Sequence, residues 1–257
     1  MEDFWVNQGA TLLINWLESS QEDVREMAAK VIVKFVINIG DIGDDEKTKY
    51  EKRANAVIHG GGIRSLLNLA KSSNEGDQIG VRLEVAKTIT ILCLDNTISN
   101  VIVEEGGIQL LLNWVNSTNK TLFEETIKAL KNLSLRDAHN KIIIFECGGL
   151  EVLMNLVYRW TSSSKKVLKH VLVTLENMAS DDKISMEIIK NGGLNALVTL
   201  TQEECMSMGV LNQIIRVFAN LAGIGYTNNN NITFELEPSL LQRLEQLIRS
   251  PLHDFRY

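Results

Sequence analysis

The phrase "EEGGIQLLLNWV", Glu104 to Val115, is written four times along this chain with small changes. It returns as "HGGGIRSLLNLA" from His59, "ECGGLEVLMNLV" from Glu146 and "KNGGLNALVTL" from Lys190. The last glycines of these phrases, Gly62, Gly107, Gly149 and Gly193, are separated by 45, 42 and 44 residues. A catalytic loop is needed once, whereas a phrase at near-constant spacing is architecture, and a period of this size belongs to helical solenoids. Before each anchor the pattern predicts a short apolar helix, after it one of about ten residues, and after a polar break one of about fifteen.

The glycines have a physical reason to recur. A residue that ends a helix in the left-handed conformation avoids a Cβ clash as glycine, and a second glycine lets two helices cross closely. The long helices carry helical periodicity, with Ile127, Leu130, Leu133 and Ser134 spaced to share one face. In register, Ala86, Ile127, Leu172 and Ile215 take one core position and Ile89, Leu130, Leu175 and Phe218 the next. Both prolines, Pro238 and Pro251, lie near the C-terminus, so nothing before them locks φ and breaks a helix. A unit of three short helices cannot bury enough apolar surface alone, so neighbours must stack into a continuous core.

The phrases "EEGGIQLLLNWV" with "ALKNLS", "ECGGLEVLMNLV" with "TLENMAS", and "NGGLNALVTL" with "VFANLAG" resemble the armadillo repeat, over nearly the whole chain. The resemblance implies an all-α, right-handed α-α superhelix, a single solenoid over residues 1–257. About five repeats are expected: a partial one at 1–40, then 41–95, 96–137, 138–181 and 182–225, with a partial repeat or cap at 226–257. Gly9 is read as the anchor of the first repeat, and "GDIGDDEKTK" as an acidic surface loop that absorbs the excess before Gly62. Trp16 and Trp114 share one position of the second helix, where Leu69, Leu156 and Leu200 stand elsewhere, and are expected in the core.

In such solenoids the long third helices line a concave groove, and the resemblance directs the search for function there. The groove-facing ladder position holds Asn132, Asn177 and Asn220, with Ile91 and Lys34 at the equivalent points of earlier repeats. An asparagine amide can donate to a peptide carbonyl and accept from a peptide N–H, so a row of them suits an extended chain. In families such as importin-α and β-catenin the matching asparagines have this part; the alternative is that they bridge neighbouring helices within the fold. One turn earlier lie Lys30, Lys87, Lys128 and Arg216, interrupted by Val173, with Lys169 and His170 nearby. Such a line of cations would steer an acidic, extended partner; the plainer reading is that these side chains solvate helix faces. Importin-α-like recognition of basic signals needs tryptophan four residues before each ladder asparagine, where this chain has Lys128, Val173 and Arg216.

Other classes of function find less support. Apolar residues make up 45% and charged residues 23%, as in a folded globular protein, and the formal charge of −6 offers no general attraction to nucleic acid. No apolar stretch approaches the roughly 20 residues that span a bilayer, and "MEDFWVNQGA" lacks a basic secretory n-region, so a soluble cytoplasmic or nuclear protein is expected. Cys93, Cys147 and Cys205 suit reduced, buried thiols. His59, His139, His170 and His253 are scattered without a ligand or nucleophile pattern, and read as solvated or capping; "SSSKK" from Ser162 and "YTNNNNIT" from Tyr226 read as loops between repeats. The expectation is a non-enzymatic protein-interaction scaffold without cofactor or metal, binding an acidic or neutral extended partner. The alternative is an interaction module of a larger enzyme or motor.

Overall fold

The structure is a computed structural model and describes residues 2–37, 44–73, 78–135, 137–159, 164–201 and 207–227, with Gln242. Every described element is a helix, and they stack as an all-α solenoid. A leading pair, α1 (Glu2–Leu17) and α2 (Glu22–Ile37), is followed by triplets. The first triplet is α3 (Asp44–His59), α4 (Gly62–Ser72) and α5 (Ile79–Leu92), the second α6 (Asn96–Glu104), α7 (Gly107–Trp114) and α8 (Lys120–Ser134). The third is α9 (Ala138–Glu146), α10 (Gly149–Tyr158) and α11 (Lys165–Met178), the last α12 (Asp182–Lys190), α13 (Gly193–Thr201) and α14 (Met208–Thr227). The expected boundary between 225 and 226 therefore falls inside α14, and nearly all of the expected C-terminal segment lies outside the described residues, with Pro238, Pro251 and Cys205.

The glycine pair makes the corner as the chemistry requires. Gly106 sits at φ 83° and Gly148 at φ 80°, conformations in which an L side chain is strained. The following glycine starts the next helix so close to the previous one that a Cβ on Gly107 would stand 2.5 Å from Ile102 Cγ2 and 2.7 Å from its carbonyl oxygen. The first expected corner does not form, because α1 runs unbroken through Gly9. Gln8 stands where the other repeats have their left-handed glycine, and its Cβ disfavours positive φ, so the helix continues.

A second departure concerns the acidic insertion. Asp44 to Tyr50 are helical and lengthen α3 to 16 residues, against nine in α6, α9 and α12, so much of the expected surface loop is helix. Residues 38–43 lie outside the described residues.

Stacking generates the core. The long helices pack in order, α2 on α5, α5 on α8, α8 on α11 and α11 on α14, while α1 packs on α4 and α4 on α7 in a second series. Ala86, Ile127 and Leu172, with Ile89, Leu130 and Leu175 one turn on, are all buried, and so are Leu133 and Ser134. In α14 the register shifts: Ile214, Val217 and Leu221 are buried, and the expected Ile215 and Phe218 are half-buried. Trp114 is 4% exposed as expected, but Trp16 is 41% exposed.

Candidate functional site

Two of the long helices, α8 and α11, are started by side-chain caps. Asn119 accepts from the Leu122 N–H at 2.9 Å to begin α8, and Ser164 accepts from the Val167 N–H at 3.4 Å to begin α11. Ser164, Lys165 and Lys166 thus belong to the start of α11 and not to a loop. The short first helices have caps at the repeat period too: Asp95, Asp137 and Asp181 accept from Ile98, His139 and Ile184 N–H groups at 2.9, 2.8 and 3.0 Å. The five long helices lie side by side in the same sense and expose one wall.

On that wall each of the three ladder asparagines bonds to the preceding long helix, Asn132 and Asn220 in the same way and Asn177 to a different acceptor. Asn132 Nδ2 donates to the Thr90 carbonyl at 2.8 Å, Asn177 Nδ2 to Ser134 Oγ at 3.0 Å, and Asn220 Nδ2 to the Glu176 carbonyl at 2.9 Å. Each therefore clips its helix to the end of the preceding long helix, the structural task weighed above. An amide carries two N–H donors and an acceptor oxygen, so one such bond leaves further capacity for a guest. Asn132 is buried at 6% exposure, and Asn177 and Asn220 are half-buried. Ile91 is half-buried and Lys34 exposed, so neither extends the amide row.

The cations on the same wall divide into two groups. Lys87 pairs with Glu84 at 2.7 Å, Lys128 with Glu125 at 3.5 Å, and Arg216 with Glu176 of the neighbouring helix at 3.5 Å. Glu84 is buried and Lys87 and Lys128 are half-buried, so only the Arg216 pair has an exposed partner, and together the pairs neutralise three of the four cations in the expected line. Lys30, with Asp23, Glu26 and Met27, borders a cavity of about 220 Å³ at the start of α2. Lys169 is exposed on α11, and its Nζ reaches to 3.8 Å from where Gly209 of α14 would carry a Cβ.

His170 is not the solvated or capping residue that its isolation in sequence suggests. It is half-buried on α11, its Nε2 is enclosed with no hydrogen-bond partner among the described residues, and its carbonyl accepts from Thr174 Oγ1 at 2.9 Å. Burial first, and then the charges of Lys131, Lys166, Lys128 and Lys169, hold its pKa down to about 4. Lys131 is itself lowered by burial and by Lys128. Lys131 and Lys166, which the single-register reading passes over, thus belong to the same cluster; their i+3 and i−3 spacings from Lys128 and Lys169 were the available signal.

Elsewhere the chemistry is quiet. Burial pushes the Cys93 thiol up to about 12 and raises Cys147, which is half-buried, so neither is poised as a thiolate. His59 is exposed with Nδ1 2.8 Å from the Asn55 carbonyl, and His139 is exposed. Among the described residues no three His, Cys, Asp or Glu side chains gather as a metal set, and no helix is long and apolar enough to cross a membrane.

Glycine-cornered helical triplets, clipped by amides along one wall, define an all-α solenoid of the kind that presents an extended surface to another molecule. Residues 137–180 match the Armadillo/beta-catenin-like repeat. Those residues are an armadillo repeat, and the described helices share the armadillo fold. It is 45% identical over 96 residues to Protein ARABIDILLO 2 of Arabidopsis thaliana, covering 37% of this chain and 9% of that one. It is 33% identical over 124 residues to human catenin delta-2, covering 47% of this chain and 10% of that one. The matched stretches thus span about a tenth of these relatives. In solved structures the fold resembles a designed armadillo repeat protein in complex with the peptide (KR)4, with a TM-score of 0.75, 20% identity, and coverage of 95% of this chain and 93% of that one.

Proposed function

We propose that the protein is a non-enzymatic interaction scaffold that holds an extended segment of an acidic or neutral partner protein along the long-helix wall. The observation that carries this reading is the row of Asn132, Asn177 and Asn220, each fixed by an Nδ2 bond to the preceding long helix at 2.8 to 3.0 Å, two of them to a main-chain carbonyl and one to a serine hydroxyl. Fixed amides on helices about 8–10 Å apart meet roughly every second or third peptide group of an extended chain without first losing side-chain entropy. A peptide complex of a designed protein with the same fold is consistent with the mode. That guest is basic, whereas here lysines such as Lys30 and Lys169, without a carboxylate partner among the described residues, favour the opposite charge.

Affinity capture from a native extract tests the reading. Asn132→Ala plus Asn177→Ala, checked for retained helicity, is expected to lose most partners that the wild type captures; an unchanged set removes the groove model. A second reading rests on the small share of each relative that the match spans. It makes the chain the interaction module of a longer protein, an enzyme or motor with its chemistry elsewhere. An attached catalytic domain in the full transcript would support it.

A further inference from the structure

Two junctions between successive triplets put different chemistry at the same three positions. Arg64 and Glu151 each stand two residues after the glycine that opens α4 or α10, and Lys71 and Tyr158 nine after it. Glu105 and Asn191 each precede the left-handed glycine of the triplet that follows. At one end the junctions agree: Lys71 Nζ donates to the Glu105 carbonyl at 3.1 Å, and Tyr158 Oη to the Asn191 carbonyl at 2.8 Å. At the other they differ. The Arg64 guanidinium forks onto the Glu105 carboxylate, Nη2 donating to Oε1 at 2.7 Å and Nε to Oε2 at 3.0 Å. The second junction has Glu151 and the uncharged Asn191 at these places, and among the described residues no cation pairs with Glu151. A cavity of about 380 Å³ lies there, within the size range of small-ligand pockets. Glu151 gives it a carboxylate, Asn155 and Asn191 amides, and Phe145 and Tyr158 aromatic rings, with buried Met154 among them. The Phe145 ring already has a cation over it, Lys183 Nζ at 5.7 Å from the centroid.

We propose that this cavity receives an arginine side chain of a partner protein, in the part that Arg64 takes within the chain at the other junction. A guanidinium is planar and forked, so it lies against an aromatic ring while its N–H groups reach a carboxylate, and the cavity offers both. An ammonium group has neither plane nor fork, and an anion would meet the charge of Glu151. Lys183 shares the Phe145 ring and opposes the charge of the guest, which holds the affinity down. No long helix lines the cavity, so the site is separate from the long-helix wall and stands or falls without it.

The test titrates the whole chain, isotopically labelled for amide NMR, with N-acetyl-arginine amide, its lysine counterpart and its uncharged citrulline counterpart at constant ionic strength. The arginine compound is expected to give saturable shifts at Gly148, Asn155 and Asn191, with affinity about fivefold above the lysine compound, and citrulline none. Glu151 and Lys183 are both exposed, so replacing either does not threaten the fold. Glu151→Gln is expected to weaken arginine binding about fivefold, and Lys183→Met to strengthen it about twofold. Glu151→Arg plus Asn191→Glu recreates the pair of the other junction and is expected to abolish binding with the melting temperature retained. Shifts absent from the cavity, an equal response to citrulline, or arginine binding that Glu151→Gln leaves unchanged overturns the proposal.

Discussion

Trp16 and Trp114 occupy the same position of their repeats, yet one is 41% exposed and the other 4%. Leu12 and Leu110, one turn earlier in each helix, repeat the contrast at 49% and 6%. The inner repeat has a left-handed glycine at its corner, an aspartate cap on its first helix and an amide clip on its third. The leading pair has Gln8 at the corner and Lys34 in place of the amide. In a quasi-one-dimensional stack a position is core because a neighbour covers it, and sequence pattern alone does not supply the neighbour.

The largest expected difference lies in the tryptophans themselves. Trp114→Ala should cost about 3–5 kcal/mol in urea unfolding, as for a large buried aromatic. Trp16→Ala should cost about 2–3 kcal/mol, in proportion to the area it hides; equal losses would break the comparison. The corners come next. Gly106→Ala places a Cβ at φ 83° and should cost about 1–2 kcal/mol, while Gln8→Ala inside the continuous α1 should stay within about 0.5 kcal/mol of wild type.

A smaller effect is expected at the caps. Asp137→Ala removes the acceptor of the His139 N–H and should cost about 1 kcal/mol. Amide hydrogen exchange should report it as lost protection in the first turn of α9 with α1 unchanged.

A further effect is a pH dependence. The folded pKa of His170 is held down to about 4 from 6.5 by burial and then by four lysines. The unfolded chain therefore binds more protons than the native one between these values, and stability falls as pH drops from about 6.5 toward 4. His170→Gln should lose less stability over that window than wild type, with the two profiles parallel above it. Parallel profiles throughout would show that the imidazole does not sit in that field.

The fold was legible because its signal is redundant. Four glycine corners at one period, with apolar faces in register, leave little freedom for another architecture, and Ile127, Leu130 and Leu133 are buried where their spacing places them. The Gly9 corner was misread because one glycine cannot supply both the left-handed residue and the close approach. The long α3 was misread because charge and glycine in "GDIGDDEKTK" hide good helix formers.

Less of the candidate site was legible. Its asparagine register was readable from spacing, but the bonds to Thr90, Ser134 and Glu176 join residues more than forty positions apart. Glu84 and Glu125 stand three residues before their lysines and were readable as pairs, whereas Arg216 finds Glu176 only across the packed helices. Lys131 and Lys166 escaped notice because following one register position along a solenoid misses cations that converge from two helices.

The measurement that bears most directly on the claim that the long-helix wall receives a partner is site-specific photo-crosslinking. One version of the protein carries a photoreactive residue at Arg216, exposed on that wall, and another carries it at Arg64 of α4, which is also exposed. Irradiation in native extract should yield a discrete crosslinked protein from position 216 and none from 64. Crosslinks from position 64 alone would place the partner on another face and contradict the groove.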